Sequence, residues 1–478
     1  MLFSRYRKQL LLVFALLVSS GSLTADVPKN DLAYPVEAAE LRQRRDKVLS
    51  ALRTRYPDGA VLFLRAPEVR VYSRDITYPY RTDSDLYYLT GLHDPGVALL
   101  LSTTPHEPHG HQILFTFPAP TDDEVLWTGK RTTPAQAARI SGIGPDSVVE
   151  FEHTASKLRE VLGIRARPFV PYAGHPPIYS RGSSVALLYD PGRGFTPDDP
   201  PPAGYGFLLS ALGSSAFHLE LESSSDVIAP FRQVKSPAEI ALIEKACDAT
   251  CVALRRGARI ARPGVYERDV AATIESTFRL QGASGWAFPS IIGSGPNACI
   301  LHYQQYDRRL EEGDLVLMDV GAEHHLYAAD VTRTIPVSGK FSPRQREIYD
   351  IVLNAQRQAM AVIKPGIAFK TIHETAKAAV ARNLLRIGLI KSESDVRTYY
   401  PHGTNHGLGI DVHDSMPLHT LEAGMVLTVE PGIYIPEENI GIRIEDDVLV
   451  TEDGYRILSD GAPREAEEVE RWMRSARF

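Results

Sequence analysis

"SPAEIALIEKACDATCVALRR" runs from Ser236 to Arg256, and "SPRQREIYDIVLNAQRQAMAVI" runs from Ser342 to Ile363. Both open Ser-Pro, and Glu239 or Gln345 follows three residues after the serine. A serine cap answered by a carboxylate or amide at the third helical position is a capping box. Proline suits the first helical position because its missing N–H would be unpaired there in any case. Each helical run must stop at a Pro-Gly, in "RPG" at Arg262–Gly264 and in "KPG" at Lys364–Gly366. A second helical pattern follows each stop, "VYERDVAATIESTFRL" and "IAFKTIHETAKAAVARNLL". Two helix–PG–helix units, roughly a hundred residues apart, predict a duplicated half-domain.

Each unit leads into a strand pair that carries carboxylates. "DLVLMDVGAEHHLYAADVTRT" (Asp314–Thr334) turns at Glu323–Leu326, which sets Asp319 opposite Asp330. "LTVEPGIYIPEENIGIRIEDD" (Leu427–Asp447) turns at Pro436–Asn439, which sets Glu430 opposite Glu445. Directly opposed residues have Cβ atoms about 4.5–5.5 Å apart, and like charges so placed repel. Asp319 ends the apolar run "LVLM", so it is expected to be buried. Buried carboxylates need a partner, and a divalent cation removes the conflict. Four carboxylates with a histidine suit two ions about 3.5–4 Å apart. The last strand poses a further question. Arg443 and Glu445 share one face of "NIGIRIEDDVLV" (Asn439–Val450), among apolar neighbours. They form either a surface ion pair of little worth or part of a buried site.

Histidines concentrate in the same region. "YPHGTNHGLGIDVHD" carries His402, His406 and His413, and "ACILHY" carries His302. The other histidines, His93, His218 and His373 among them, have no such company.

The remainder of the chain bounds the setting. It has 478 residues and a net charge of −7, with no basic stripe, which argues against nucleic acid as a partner. Arg5, Arg7 and Lys8 precede an apolar run from Leu10 to Val18 and then "SLTA" at Ser22–Ala25. That is the pattern of a signal peptide over residues 1–25, its apolar run too short to span a bilayer, and it predicts a periplasmic or secreted protein with no membrane span after cleavage. Cys247, Cys251 and Cys299 make no disulfide framework, and the first two are expected in a helix core. "GAVLFL", "VALLLST" and "QILFTF" read as strands of a mixed α/β domain over residues 35–164. A Pro/Gly-rich linker is expected at 165–230 and a second domain at 231–470.

Together, "MDVG…YAADVTRT", "PHGTNHGLGIDVHD", "TVEPGIYI" and "GIRIEDD" resemble the pita-bread metallopeptidases, specifically the Xaa-Pro aminopeptidase (aminopeptidase P) branch. "SRDITYPYRTDSDLYYLTGL" (Ser73–Leu92) and "EVLWTGKR" (Glu124–Arg131) look like the amino-terminal domain of that branch, which methionine aminopeptidases lack. The resemblance implies an α/β (α+β) fold, an N-terminal mixed domain followed by a pseudo-twofold pita-bread catalytic domain. It implies Asp319, Asp330, His406, Glu430 and Glu445 as ligands of two divalent ions, usually Mn²⁺, with Asp330 and Glu445 bridging. It implies His302, His402 and His413 as outer histidines, Glu430 as proton shuttle, and Arg443 beside Asp319 and Tyr434, orienting the cluster. The implied substrates are peptides with proline at position two, cleaved by a metal-activated water. Prolidase is the alternative on the same fold, and a non-catalytic pita-bread binding protein is a third reading. Homo-oligomerisation stays open. Where the family often has a bulky aromatic after the ligand histidine, this chain has Gly407, which predicts extra room beyond the proline.

Overall fold

The computed structural model describes residues 35–104, 107–161, 186–189 and 220–475. The candidate signal peptide lies outside the described residues, as does most of the Pro/Gly-rich stretch.

The N-terminal domain is built on a six-stranded sheet. Its order is Val148–Glu150, Glu107–Thr116, Ala98–Thr104, Ala60–Arg65, Ala186–Tyr189, Glu220–Ser223. The three apolar runs read from the sequence form its centre. Ala60–Arg65 pairs antiparallel with Ala98–Thr104 on one side and parallel with Ala186–Tyr189 on the other. Its residues Ala60 to Leu64 are all buried, as expected of a central strand covered on both faces. Two of the strands come from the stretch expected to be a linker. Residues 165–230 therefore do more than connect: Ala186–Tyr189 and Glu220–Ser223 extend the first domain's sheet. Each is four residues long and lies in or beside a Pro/Gly-rich stretch, which hid it in the composition.

The second domain carries the duplication. Both capping boxes form. Ser236 N donates to Glu239 Oε2 at 2.9 Å and Glu239 N to Ser236 Oγ at 3.3 Å. Ser342 N donates to Gln345 Oε1 at 3.0 Å and Gln345 N to Ser342 Oγ at 3.2 Å. The helices run Pro237–Ile260 and Pro343–Ala361 and stop before their Pro-Gly pairs. Glu267–Leu280 and Lys370–Arg386 pack beside them. Cys247 and Cys251 are buried in the first of these helices.

The strands of the two units meet at a seam. Leu315–Val320 and Val331–Pro336 belong to the first half, Ile440–Arg443 and Asp446–Val450 to the second. Glu445 N donates to Thr332 O at 3.1 Å, and Thr334 Oγ1 donates to Arg443 O at 3.0 Å. Arg333 crosses the same line to Glu445 O at 2.6 Å and to Asp446 Oδ1 at 2.7 Å, with no side-chain exposure on either partner.

One hairpin register is as the sequence sets it and the other is not. In the second half, Val429 faces Asp446 and Gly432 faces Arg443, so Glu430 lies across from Glu445. In the first half, Asp319 faces Thr332, not Asp330. The turn is centred one residue later than the sequence suggests, at His325 and Leu326, with His324 facing Tyr327. Both turn residues have positive φ, 48° and 65°, as a tight primed turn requires. Asp330 becomes the diagonal neighbour of Asp319 on the same face. A slip of two residues keeps side chains on their face, so the carboxylates still converge.

Gly321 lies where this hairpin pinches. A Cβ there would stand 1.8 Å from Ala329 O, and backbone cannot yield cheaply. Gly321→Ala is expected to cost about 3 kcal/mol or more. A denaturant midpoint unchanged from wild type would contradict this.

Candidate metal centre

The cavity at the seam has a volume of about 640 Å³. Asp319, Asp330, Glu430 and Glu445 line it, with His302, His402, His406, His413 and Arg443. The histidines and carboxylates singled out in the sequence thus come together. Asp330, Asp319 and Glu445 are buried, while His302 and His413 are exposed at the mouth. Tyr434 is buried beneath, with its hydroxyl 2.9 Å from His402 Nε2.

The inner set is compact. One ligand-type atom each of Asp330, His406 and Glu445 lies within 4.8 Å of the other two. His406 Nε2 is 3.4 Å from Asp330 Oδ2 and 3.5 Å from Glu430 Oε1. Glu430 also accepts from Thr428 Oγ1 at 3.4 Å. Asp319 Oδ1 is buried and has no hydrogen-bond partner. Burial, then the negative charge of Asp319, Asp447 and Glu430, holds Asp330 well above the usual carboxylate range. Burial, then Asp330, Glu430 and Asp319, does the same to Glu445, with Arg443 opposing. Burial raises Glu430 too, offset by His406 and Arg443. Carboxylates so crowded want protons or cations. An orphaned carboxylate oxygen beside a compact Asp–His–Glu set fits divalent metal, whose hard charge takes oxygen and imidazole ligands.

Arg443 answers the question its strand posed. It is buried, and its fork spans both halves of the domain. Nη2 donates to Asp319 Oδ2 at 2.5 Å, Nη1 to Tyr434 OH at 2.7 Å, and Nε to Thr332 Oγ1 at 3.2 Å. Thr332 in turn donates to Glu445 Oε2 at 2.6 Å. Burial works against the charge, but Tyr434, Asp319 and Glu445 hold the guanidinium firmly charged. Burial, then that positive charge, pushes the His402 ring down to about 4, so the ring stays neutral near pH 7.

The sequence left out several residues that support this cluster. Asp447 Oδ2 accepts from Asp330 N at 3.0 Å and from Cys247 Sγ at 3.2 Å, which fixes the backbone of Asp330. Burial pushes Asp447 up to about 7. Glu267, fully buried, accepts from Ser294 N, Ser294 Oγ and Tyr303 OH at 2.7, 2.7 and 2.8 Å and so ties down the loop that carries His302. His373, left as background, is 2.9 Å from Thr404 Oγ1, and Thr404 O accepts from Glu430 N at 2.7 Å. The doubled Asp of "IEDD" was a visible signal for Asp447, whereas nothing in the sequence marks Glu267 or Thr404.

Gly407 does not open the cavity as the sequence suggested. A Cβ there would stand 2.6 Å from Met416 Cγ and 2.8 Å from Asp414 O. The volume that an aromatic side chain would take is filled by the returning loop.

Known proteins agree with this geometry. Residues 241–452 match the model of metallopeptidase family M24, and residues 41–168 match that of the aminopeptidase P N-terminal domain. The chain is 33% identical to Xaa-Pro aminopeptidase of Escherichia coli over 92% of this chain and 99% of that one. It is 36% identical to Xaa-Pro aminopeptidase 2 of Streptomyces coelicolor, over 95% and 94%. The solved structure of aminopeptidase P from Escherichia coli with the inhibitor Pro-Leu superposes with a TM-score of 0.78 at 30% identity, over 92% of this chain and 99% of that one.

Arg443→Lys keeps the charge but loses the fork. It is expected to lower metal affinity or activity by about 10–100-fold. Isothermal titration with Mn²⁺ and a peptidase assay measure both, and a change under twofold in each would return Arg443 to a packing role.

Proposed function

The chain belongs to metallopeptidase family M24, in its aminopeptidase P branch, and on that premise we propose that it is a dinuclear enzyme releasing the first residue from peptides with proline at position two. Membership makes it a metal-dependent aminopeptidase. The finer reading is carried by one observation: four carboxylates, a histidine and the Arg443 fork converge on a single cavity.

Asp319, Asp330, His406, Glu430 and Glu445 would hold two divalent cations, Mn²⁺ on the family resemblance. Bound there, the cations supply Lewis acidity and a water of lowered pKa as nucleophile. The chain's own groups do the rest. Glu430, whose affinity for a proton burial raises, accepts the nucleophile's proton and returns it to the departing prolyl nitrogen. His413 and His302, at the mouth, face the carbonyl oxygen as its charge develops. His402, neutral and hydrogen-bonded to Tyr434, forms the wall of the substrate channel. The free amino group of the substrate lies at the Asp319 end. Proline leaves as a secondary amine, and its missing N–H is why most peptidases that grip that group fail on such bonds.

Residues 231–470 are taken as the catalytic domain. Export by residues 1–25, to the periplasm or outside the cell, belongs to the same proposal and rests on their basic start and short apolar core. No helix among the described residues is long and apolar enough to cross a membrane.

Asp330→Asn removes one of the charges that would hold the cations. Activity and one or both bound ions should be lost while the circular-dichroism spectrum is kept. An active Asp330→Asn enzyme holding two ions by elemental analysis would sink the ligand assignment. The substrate claim is tested by kcat/KM for an Xaa-Pro-Yaa tripeptide against its Xaa-Pro dipeptide. The tripeptide should be preferred, because residues after proline help to hold the scissile bond in place. Strong preference for the dipeptide would make the chain a prolidase, and equal cleavage with alanine in place of proline would remove both readings.

A further inference from the structure

The loop that carries His413 is gripped from outside the catalytic domain. Its first part is held locally: Thr428 N donates to His406 O and Leu408 N to Val426 O, both at 3.0 Å. Beyond Gly409 the partners change. Arg81 Nη2 donates to Ile410 O at 2.6 Å, and Ser84 Oγ donates to Asp411 Oδ1 at 2.8 Å. Both come from the N-terminal domain. Arg232 then joins the two sides. Its Nη1 donates to Asp85 Oδ1 at 2.7 Å, and its Nη2 to Asp411 Oδ2 at 2.7 Å and Asp414 Oδ1 at 2.8 Å. Lys235 Nζ adds a contact to Asp414 Oδ2 at 3.2 Å. At Gly409 a Cβ would stand 2.2 Å from Asp414 Oδ2, so the loop can fold over that carboxylate only without a side chain there.

This cluster is costly if stability is its sole use. Arg232 is 7% exposed and Asp414 5%. Buried ion clusters are often no more stabilising than apolar packing of the same volume, so stability alone does not account for this geometry. The geometry is specific here. Asp411 lies two residues before His413 and Asp414 one residue after it, and one planar fork holds both. The His413 ring lies edge-on to His406, 4.3 Å between centroids.

We propose that Arg232 is a positioning residue for His413, and that Arg81, Ser84 and Asp85 make the N-terminal domain part of the catalytic loop's support in the same chain. The inference rests on the reading of His413 as the group facing the substrate carbonyl. A group that acts on the transition state loses effect when displaced by about 1 Å, and such losses reach about 100-fold.

The test uses full-length enzyme with saturating Mn²⁺ and an Xaa-Pro-Yaa tripeptide. Arg232→Gln should lower kcat about 10–100-fold, in line with the cost of a misplaced group, with KM changed less than about threefold. Arg232→Lys should recover only part. In a His413→Ala background, Arg232→Gln should add less than about threefold, because residues acting as one unit are not additive. Bound metal should stay at the wild-type level. Hydrogen exchange should quicken over residues 407–414 and stay unchanged over residues 440–450. Asp411→Asn and Ser84→Ala leave Arg232 paired with Asp85 and Asp414, so they carry the same test if Arg232→Gln does not fold. Each should give a smaller loss in kcat that vanishes in the His413→Ala background. If these variants multiply their full losses onto His413→Ala, the positioning role is wrong while the site reading stands. If His413→Ala alone keeps wild-type kcat, the reading of His413 falls and takes this inference with it.

Discussion

Four carboxylates crowded into one buried pocket are the constraint on which the catalytic domain is organised. Asp319, Asp330 and Glu445 are nearly out of solvent, and Glu430 stands beside them. Their mutual repulsion would open the pocket if each half of the domain were free to move. The two halves are instead tied along a line that needs no charge on the ligands: Glu445 N to Thr332 O, Arg333 to Glu445 O, and Asp330 N to Asp447 Oδ2. Each of these bonds uses a backbone atom of Asp330 or Glu445, and none uses a ligand side chain. The acid side chains are therefore held in register whether or not a cation is bound, and a site so preorganised does not have to be built by its metal.

Among the described residues, Arg443 is the guanidinium that bonds a carboxylate side chain of this set directly, and its position decides how the two halves are joined beneath the acids. Its fork lies on Asp319, and Thr332 relays it to Glu445. Asp330 has no contact with that fork, and burial, then the charge of its acidic neighbours, holds it and Glu445 well above the usual carboxylate range. The duplication explains why such a set can form. Each half delivers one strand pair with two acids, and the seam turns two tolerable pairs into one cluster that neither half could sustain alone.

The sequence made the frame legible where local chemistry sets the outcome. Ser236-Pro237 and Ser342-Pro343 are caps whose partners lie three residues away, so nothing distant can overrule them. The second hairpin was legible too, because Pro436 and Asn439 mark their turn. The first was misread by one residue because His325 and Leu326 adopt positive φ without the Gly or Asn that usually announces it. The convergence of the acids survived that error, since a two-residue slip preserves the face. Gly407 was misread for the opposite reason. A missing side chain looks like space in a sequence, but Met416 had already taken it. The strands Ala186–Tyr189 and Glu220–Ser223 hid in a Pro-rich background, and the partners of Arg232 lie 147 to 182 residues away, beyond any local pattern.

Charge balance carries the two-cation proposal one step further. The four carboxylates face one guanidinium, and burial and Arg443 keep His402 neutral. A single divalent cation leaves the pocket negative by one, which would resist both an anionic nucleophile and the developing oxyanion. Two divalent cations leave it positive by one, enough to attract a single negative charge and no more. A low-dielectric site enlarges that difference, because each uncompensated charge costs far more there than in water. On the proposed reading the net charge of the donor set would suit two divalent ions better than one, and Arg443 would contribute to that balance as directly as any ligand.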